Sequence, residues 1–141
     1  MSARRSWTRR RVLQTASAAC AAPLFLPASV LGLNGPVANE RVNVGIVGLG
    51  GRARDIAKTC HGIPGIRIVA VCDCFTPRCG EFIQAVSQGQ SWTPYDDFRR
   101  MIDREKLDAV MVETTTHARA WIAVLAMQAG LDTYIEKPMC L

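Results

Sequence analysis

A glycine-rich hexapeptide between an apolar run and a helical stretch constrains this chain more than any other feature. Val42-Asn43-Val44-Gly45-Ile46-Val47 reads as a strand buried on both faces apart from Asn43, because a near-continuous β-branched run marks a parallel-sheet strand. Gly48-Leu49-Gly50-Gly51-Arg52-Ala53 follows, and a helix runs on to about Cys60, closed by Gly62. The hexapeptide fits G-x-G-x-x-G/A, which is weak alone and informative only after a buried strand and before a helix. Both conditions hold here. A second strand, Ile66 to Cys72, stops at Asp73, 25 positions after Gly48. In a dinucleotide-binding βαβ unit, an acid about 20 residues past the fingerprint takes the ribose hydroxyls. Gly48 would permit the tight turn, Gly50 the close approach of backbone to a pyrophosphate, and Ala53 close packing of helix on strand. The first helical amides would then face the phosphates with the positive end of the dipole. A carboxylate at Asp73 would repel a 2′-phosphate, which favours NAD over NADP. The competing reading is a turn with a capping aspartate and no ligand.

The remaining chain repeats the alternation of strand and helix. Thr76 is expected to cap a helix that opens at Pro77 and runs to about Gln88, before Gly89. Residues 91–95 fit a brief edge strand, and Asp96 or Asp97 then caps a short helix through Asp103. Ala109-Val110-Met111-Val112 forms a fourth strand and Thr133-Tyr134-Ile135 a fifth. Between them, Ala118, Trp121, Ile122, Leu125, Ala126 and Ala129 follow helical spacing and make one apolar face, stopped by Gly130. Such alternation implies an α/β fold, a doubly wound parallel sheet of Rossmann type.

Charge separates the chain into two parts. Its 141 residues leave room for one domain of about 100–150 residues, not two. Lys and Arg number 17 against 12 Asp and Glu, a formal net charge of +5. The excess belongs to residues 1–38, which hold Arg4, Arg5, Arg9, Arg10 and Arg11 and no acid. From Asn39 onward 12 basic and 12 acidic residues cancel, with no basic stripe to suggest nucleic acid. The leader runs from an arginine-rich head through an apolar stretch, Val12 to about Leu33, to a short polar segment, which is the layout of an export signal. Thr8-Arg9-Arg10-Arg11-Val12-Leu13 resembles the twin-arginine signal. Gln14, Thr15 and Ser17 interrupt the apolar run and Pro23 and Pro27 break its end. A membrane span wants about 20 strongly apolar residues, so a removable signal is the better reading. Cleavage fits after Ala28 or after Ala38. The expectation is therefore an export signal over residues 1–38, a binding domain over 39–141, and a periplasmic protein delivered by the twin-arginine machinery. That route carries folded proteins, which suits one that takes up a cytosolic cofactor first.

Cys20 would leave with such a signal, and five of the six cysteines would remain, an odd number for a disulfide framework. Cys72, Cys74 and Cys79 form C-x-C-x4-C, but no second matching pair follows as in most zinc sites. They are read as a small buried strand residue and gap fillers, and no metal is expected.

Thr114, Thr115, Thr116 and His117 follow the fourth strand, and Glu136 and Lys137 follow the fifth. In an open parallel sheet that edge is where ligands bind. A lysine there can donate a hydrogen bond to a substrate hydroxyl or carbonyl. The plain alternatives are a threonine or His117 capping the helix, and a solvated Glu-Lys pair.

The fingerprint at Gly48, Asp73 after its strand, the stretch from Asp108 to Gly130 and Glu136-Lys137-Pro138 together resemble the N-terminal half of the Gfo/Idh/MocA family. The likeness covers about residues 41–141. It implies an NAD(P)-dependent oxidoreductase of sugars, inositols or related polyols working by hydride transfer. Lys137 would be the catalytic lysine at the substrate's reacting oxygen, and the Lys137–Pro138 peptide is often cis in such proteins. The dinucleotide would lie on Gly48, Leu49, Gly50, Gly51, Arg52 and Asp73, with Thr114, Thr115, His117, Glu136 and Lys137 completing the same edge. Where many members have Thr-Pro-x-His-x-His, this chain has Thr114-Thr115-Thr116-His117-Ala118-Arg119, and Glu113 replaces a small residue. These departures bear on substrate class and cofactor pose. The family also places a second domain after this point, so a fragment inactive alone is expected. The other readings are a non-catalytic nucleotide-binding protein and an inactive exported remnant. Replacing Arg9 and Arg10 with lysine should leave the protein in the cytosol on cell fractionation, and unchanged export would contradict a twin-arginine signal.

Overall fold

The computed structural model describes residues 41–139; the leader, its two cleavage positions and Cys20 lie outside the described residues. Five strands form one sheet: β1 (Val42–Val47), β2 (Ile66–Cys72), β3 (Thr93–Tyr95), β4 (Ala109–Val112) and β5 (Asp132–Ile135). Their order is β3-β2-β1-β4-β5, and every neighbouring pair is parallel. Helices α1 (Gly51–His61), α2 (Thr76–Val86), α3 (Phe98–Arg104) and α4 (Thr116–Gln128) alternate with the strands. The chain winds outward from β1 to β3, then returns to β4 on the other side of β1. This reversal opens a crevice at the carboxyl ends of β1 and β4, where such sheets bind ligands. Among the described residues, no helix is long and apolar enough to cross a membrane.

Alternation along the strands builds a core on each face of the sheet. Ile46, Ile68 and Val71 face one side, Ile68 and Val71 together because the β1–β2 register skips Val69, and Ala53, Ala57 and Cys60 of α1 with Phe82 and Val86 of α2 cover them. The small α1 residues recur at helical spacing and let that helix lie close to the strands. Val47, Ala70, Cys72, Val110 and Val112 point to the other side, beneath Phe98 and Met101 of α3 and Ile122, Ala123 and Ala126 of α4. Fully burying one such aliphatic or aromatic side chain stabilises by about 1.5–3 kcal/mol, so the two layers together hold the sheet edge in place.

Several local expectations need correction. Val42 is exposed, so only Val44 to Val47 of β1 are buried. Thr76 is already helical; Phe75 stands at the N-cap, with no side-chain cap. That helix ends at Val86, because Gln88 and Gly89 both take positive φ. Asp97, not Asp96, caps α3 by accepting from the Arg99 amide. On α4 the buried stripe is Arg119, Ile122, Ala123 and Ala126, one residue round from the expected face. Trp121 is 54% exposed and sets its ring edge-on against Phe98, while Ala129 is also exposed. Cys72 and Cys79 are buried as gap fillers, but Cys74 is exposed. Burial in the apolar layer pushes the Cys72 thiol up to about 12.

Candidate dinucleotide site

The turn after β1 is fixed from both sides. The Gly48 amide donates to the Cys72 carbonyl at 2.8 Å, and the Glu113 amide donates to Val47 at 2.8 Å. Gly48 has φ +88°, and a Cβ there would lie 2.7 Å from the Thr114 nitrogen and 2.8 Å from the Glu113 carbonyl carbon. Only glycine fits this approach of the turn to the β4–α4 loop. Gly50 is different: a Cβ there meets nothing within 4 Å, so its outer face is open. Gly50 is the N-cap of α1, and no side chain caps it or adds an acid to the first turn. Helix geometry leaves the first amides without an intrahelical acceptor, and they carry the positive end of the dipole. An anion fits there, as the sequence pattern predicts.

Asp73 ends β2 beside this turn and is buried. Its Oδ2 accepts from the Leu49 amide at 3.0 Å and its Oδ1 from the Phe75 amide at 2.9 Å, while Arg78 approaches Oδ2 to 3.3 Å. Burial works against the charge, yet the two amides and Arg78 outweigh it and hold the carboxyl below the usual aspartate range. The carboxylate thus braces the glycine turn from within. Gly48, Leu49, Gly50, Asp73, Thr114, Thr115 and His117 all line one cleft of about 480 Å³. Arg78, Phe98 and Trp121 line it too, and sequence reading did not place them there. His117 caps nothing: Thr115 is the N-cap of α4 without a side-chain bond, and its hydroxyl lies 3.4 Å from His117 Nε2.

Past β4 and β5 lies a second cavity, about 520 Å³, lined by Arg52, Glu113, Arg119, Glu136 and Lys137. Glu136 pairs with Arg52 at 2.6 Å rather than with the Lys137 side chain, and it also accepts from the Lys137 amide at 2.9 Å. The Arg52 hydrogen bond, then that amide, hold the Glu136 carboxyl below its ordinary range. The contact ties the first turn of α1 to the end of β5. The Lys137–Pro138 peptide is cis. Arg119 was missed because Trp121 drew the apolar face one residue round; its Nη1 donates to the Pro138 carbonyl at 2.6 Å and its Nη2 to the Thr114 carbonyl. Both segments that carry the edge residues are therefore held by one buried guanidinium. Another depression, about 410 Å³ between Arg41, Ile66 and Gln90, lies at the amino edge and takes no part in this arrangement.

A family model described as an oxidoreductase family with an NAD-binding Rossmann fold, Gfo/Idh/MocA, matches residues 42–141. The chain belongs to the Gfo/Idh/MocA family. A glycosyl hydrolase family 109 protein of Shewanella sp. (strain ANA-3) is 31% identical over 139 residues, covering 89% of this chain and 30% of that protein. The myo-inositol 2-dehydrogenase of Lactobacillus plantarum is 27% identical, with a TM-score of 0.64 over 72% of this chain and 29% of its own. The WlbA dehydrogenase of Bordetella pertussis, solved with NADH and UDP-GlcNAcA, is 26% identical, with a TM-score of 0.58 over 71% of this chain and 30% of its own. This family member thus spans less than a third of the length of those relatives. The Rossmann fold expected from the sequence is the fold observed.

The two glycines should separate on substitution. Gly48→Ala should lower stability by at least about 1–2 kcal/mol through the left-handed backbone alone, read from the denaturation midpoint. Gly50→Ala should shift the midpoint by no more than about 1 kcal/mol. It should nevertheless weaken dinucleotide binding about tenfold, because the added methyl stands on the open face where a pyrophosphate would approach the backbone.

Proposed function

We propose that this domain holds NAD, in preference to NADP, for an oxidoreductase acting on sugars, inositols or related polyols. The observation that carries the reading is the uncapped α1 N-terminus opening on the same cleft as Asp73. An elongated dinucleotide would set its pyrophosphate on the glycine turn and its adenosine ribose toward Asp73. The other half would cross toward β4 and β5, where Lys137 stands. The dinucleotide, when bound, supplies a hydride acceptor or donor. Lys137 would hold a proton at the substrate's reacting oxygen, and Glu136, locked on Arg52, would fix the backbone that carries it. The chain spans less than a third of the relatives' length, and in this reading the walls that close over substrate come from outside the matched stretch, so turnover by residues 1–141 alone is not expected. In this reading the protein works in the periplasm, exported with its cofactor by the twin-arginine signal at residues 1–38.

A second reading has one specific support: curated relatives carry the name glycosyl hydrolase family 109. Glycoside cleavage assisted by a dinucleotide would use the same cleft and lysine, and would differ in releasing a free sugar without net change of cofactor.

The NAD preference rests on the Asp73 charge. Calorimetry should find NAD bound more tightly than NADP by the parent chain. Asp73→Asn, which keeps an acceptor for the Leu49 amide and loses the charge, should narrow the ratio about tenfold. Equal affinities in the parent would overturn the role given to Asp73.

A further inference from the structure

Glu113 is the polar group that the reading above leaves unexplained. It follows β4 directly, and both of its carboxyl oxygens are shielded from solvent without a hydrogen-bond partner among the described residues. It is also the residue common to the two hollows, lining both the cleft of the glycine turn and the cavity of Lys137. A carboxyl so placed is costly unless something arrives to meet it. Its backbone is anchored, since its amide donates to the Val47 carbonyl and a side chain at Gly48 would meet its carbonyl carbon. The side chain therefore starts from a fixed point between the two hollows.

The charged groups around it come from each neighbouring element. Arg52 approaches from α1, Arg119 from α4, and Glu136 and Lys137 from the end of β5. Arg52 is already committed to Glu136, and two of the Arg119 nitrogens to carbonyls. The third, Arg119 Nε, is buried and also unpartnered, so it does not close the gap. Burial, then the negative charge of Glu136, push the Glu113 carboxyl above the usual glutamate range; Arg119 and Arg52 oppose them without prevailing.

A dinucleotide lying across the β1–β4 crevice with its adenosine ribose at β2 would bring its nicotinamide end to this side of the sheet. That ring is cationic when oxidised and neutral when reduced. We infer that Glu113 is a charge-sensing carboxyl at the nicotinamide end of the cleft, one that keeps its proton beside a neutral ring and releases it to solvent beside a cationic one. The inference rests on the dinucleotide reading proposed above. The step is a single ionisation: the carboxylic acid O–H breaks, the proton goes to water, and the carboxylate faces the positive ring. The consequence is that oxidised and reduced cofactor are distinguished by charge, within a site whose fold alone would hold both.

Titration calorimetry of the purified chain, run in two buffers of different ionisation heat, reads the proton directly. NAD⁺ binding should release protons and NADH binding should not, and NAD⁺ affinity should rise about tenfold from about pH 5 to pH 8 while NADH affinity stays level. Glu113→Gln should abolish both the proton release and the pH slope. That comparison isolates Glu113 from His117, which lines the same cleft. Proton release unchanged in Glu113→Gln, or the same for NAD⁺ and NADH in the parent, would overturn the inference alone. Should neither dinucleotide bind, the dinucleotide reading falls and the inference falls with it. Difference infrared spectra of the parent with NAD⁺ and with NADH give an independent check should the variant fail to fold: loss of a protonated-carboxyl band with NAD⁺ only is expected, and no such loss would contradict it.

Discussion

The turn at Gly48 lies so near the backbone of Glu113 and Thr114 that any side chain there would collide with it, and the rest of the site depends on that close approach. It sets the end of β1 beside the end of β4 with no side chain between them. The strand reversal at this point opens the crevice, and the tight turn directs the first amides of α1 into it. From one side Asp73 bonds the Leu49 amide, and from the other Glu136 bonds Arg52. The turn is thus braced by β2 and by β5 before any ligand arrives, which lowers the ordering that binding would otherwise require.

Charge at the carboxyl edge is arranged in pairs of unequal completeness. Asp73 with Arg78 and Glu136 with Arg52 are satisfied, and both carboxyls sit below their ordinary ranges. Glu113 and Arg119 are close enough to influence one another electrostatically, yet the hydrogen bonds that would complete the pair are not made. Incomplete buried polar groups cost stability, and they concentrate where a protein meets its ligand. The carboxyls at the ends of β2 and β5 are therefore paired, and the one that follows β4 is not.

Much of this was legible in the residues. The β-branched runs and the glycines after them are local signals, so β1, β2 and β4 and the turn at Gly48 read cleanly. Asp73 was legible as the acid after β2, but its bonds to Leu49 and Phe75 were not, since those depend on how the turn folds back. The face of α4 misled because Trp121 is apolar and large, whereas tertiary packing chose the small residues Ala123 and Ala126 and put Arg119 with them. A buried arginine carries no periodic signal of its own; its partners, the carbonyls of Thr114 and Pro138, come from two separate loops. Glu113 was visible as a departure from its family, and only the fold shows that its oxygens are enclosed.

Backbone amide resonances of the isotopically labelled chain, followed as NAD⁺ is added, show whether the glycine turn is where the dinucleotide binds. The largest shifts should fall at Gly50, Gly51 and Arg52, with a second group at Thr114 and Thr115 across the crevice. Shifts confined to other parts of the sheet, with the glycine turn unmoved at saturating dinucleotide, would contradict it.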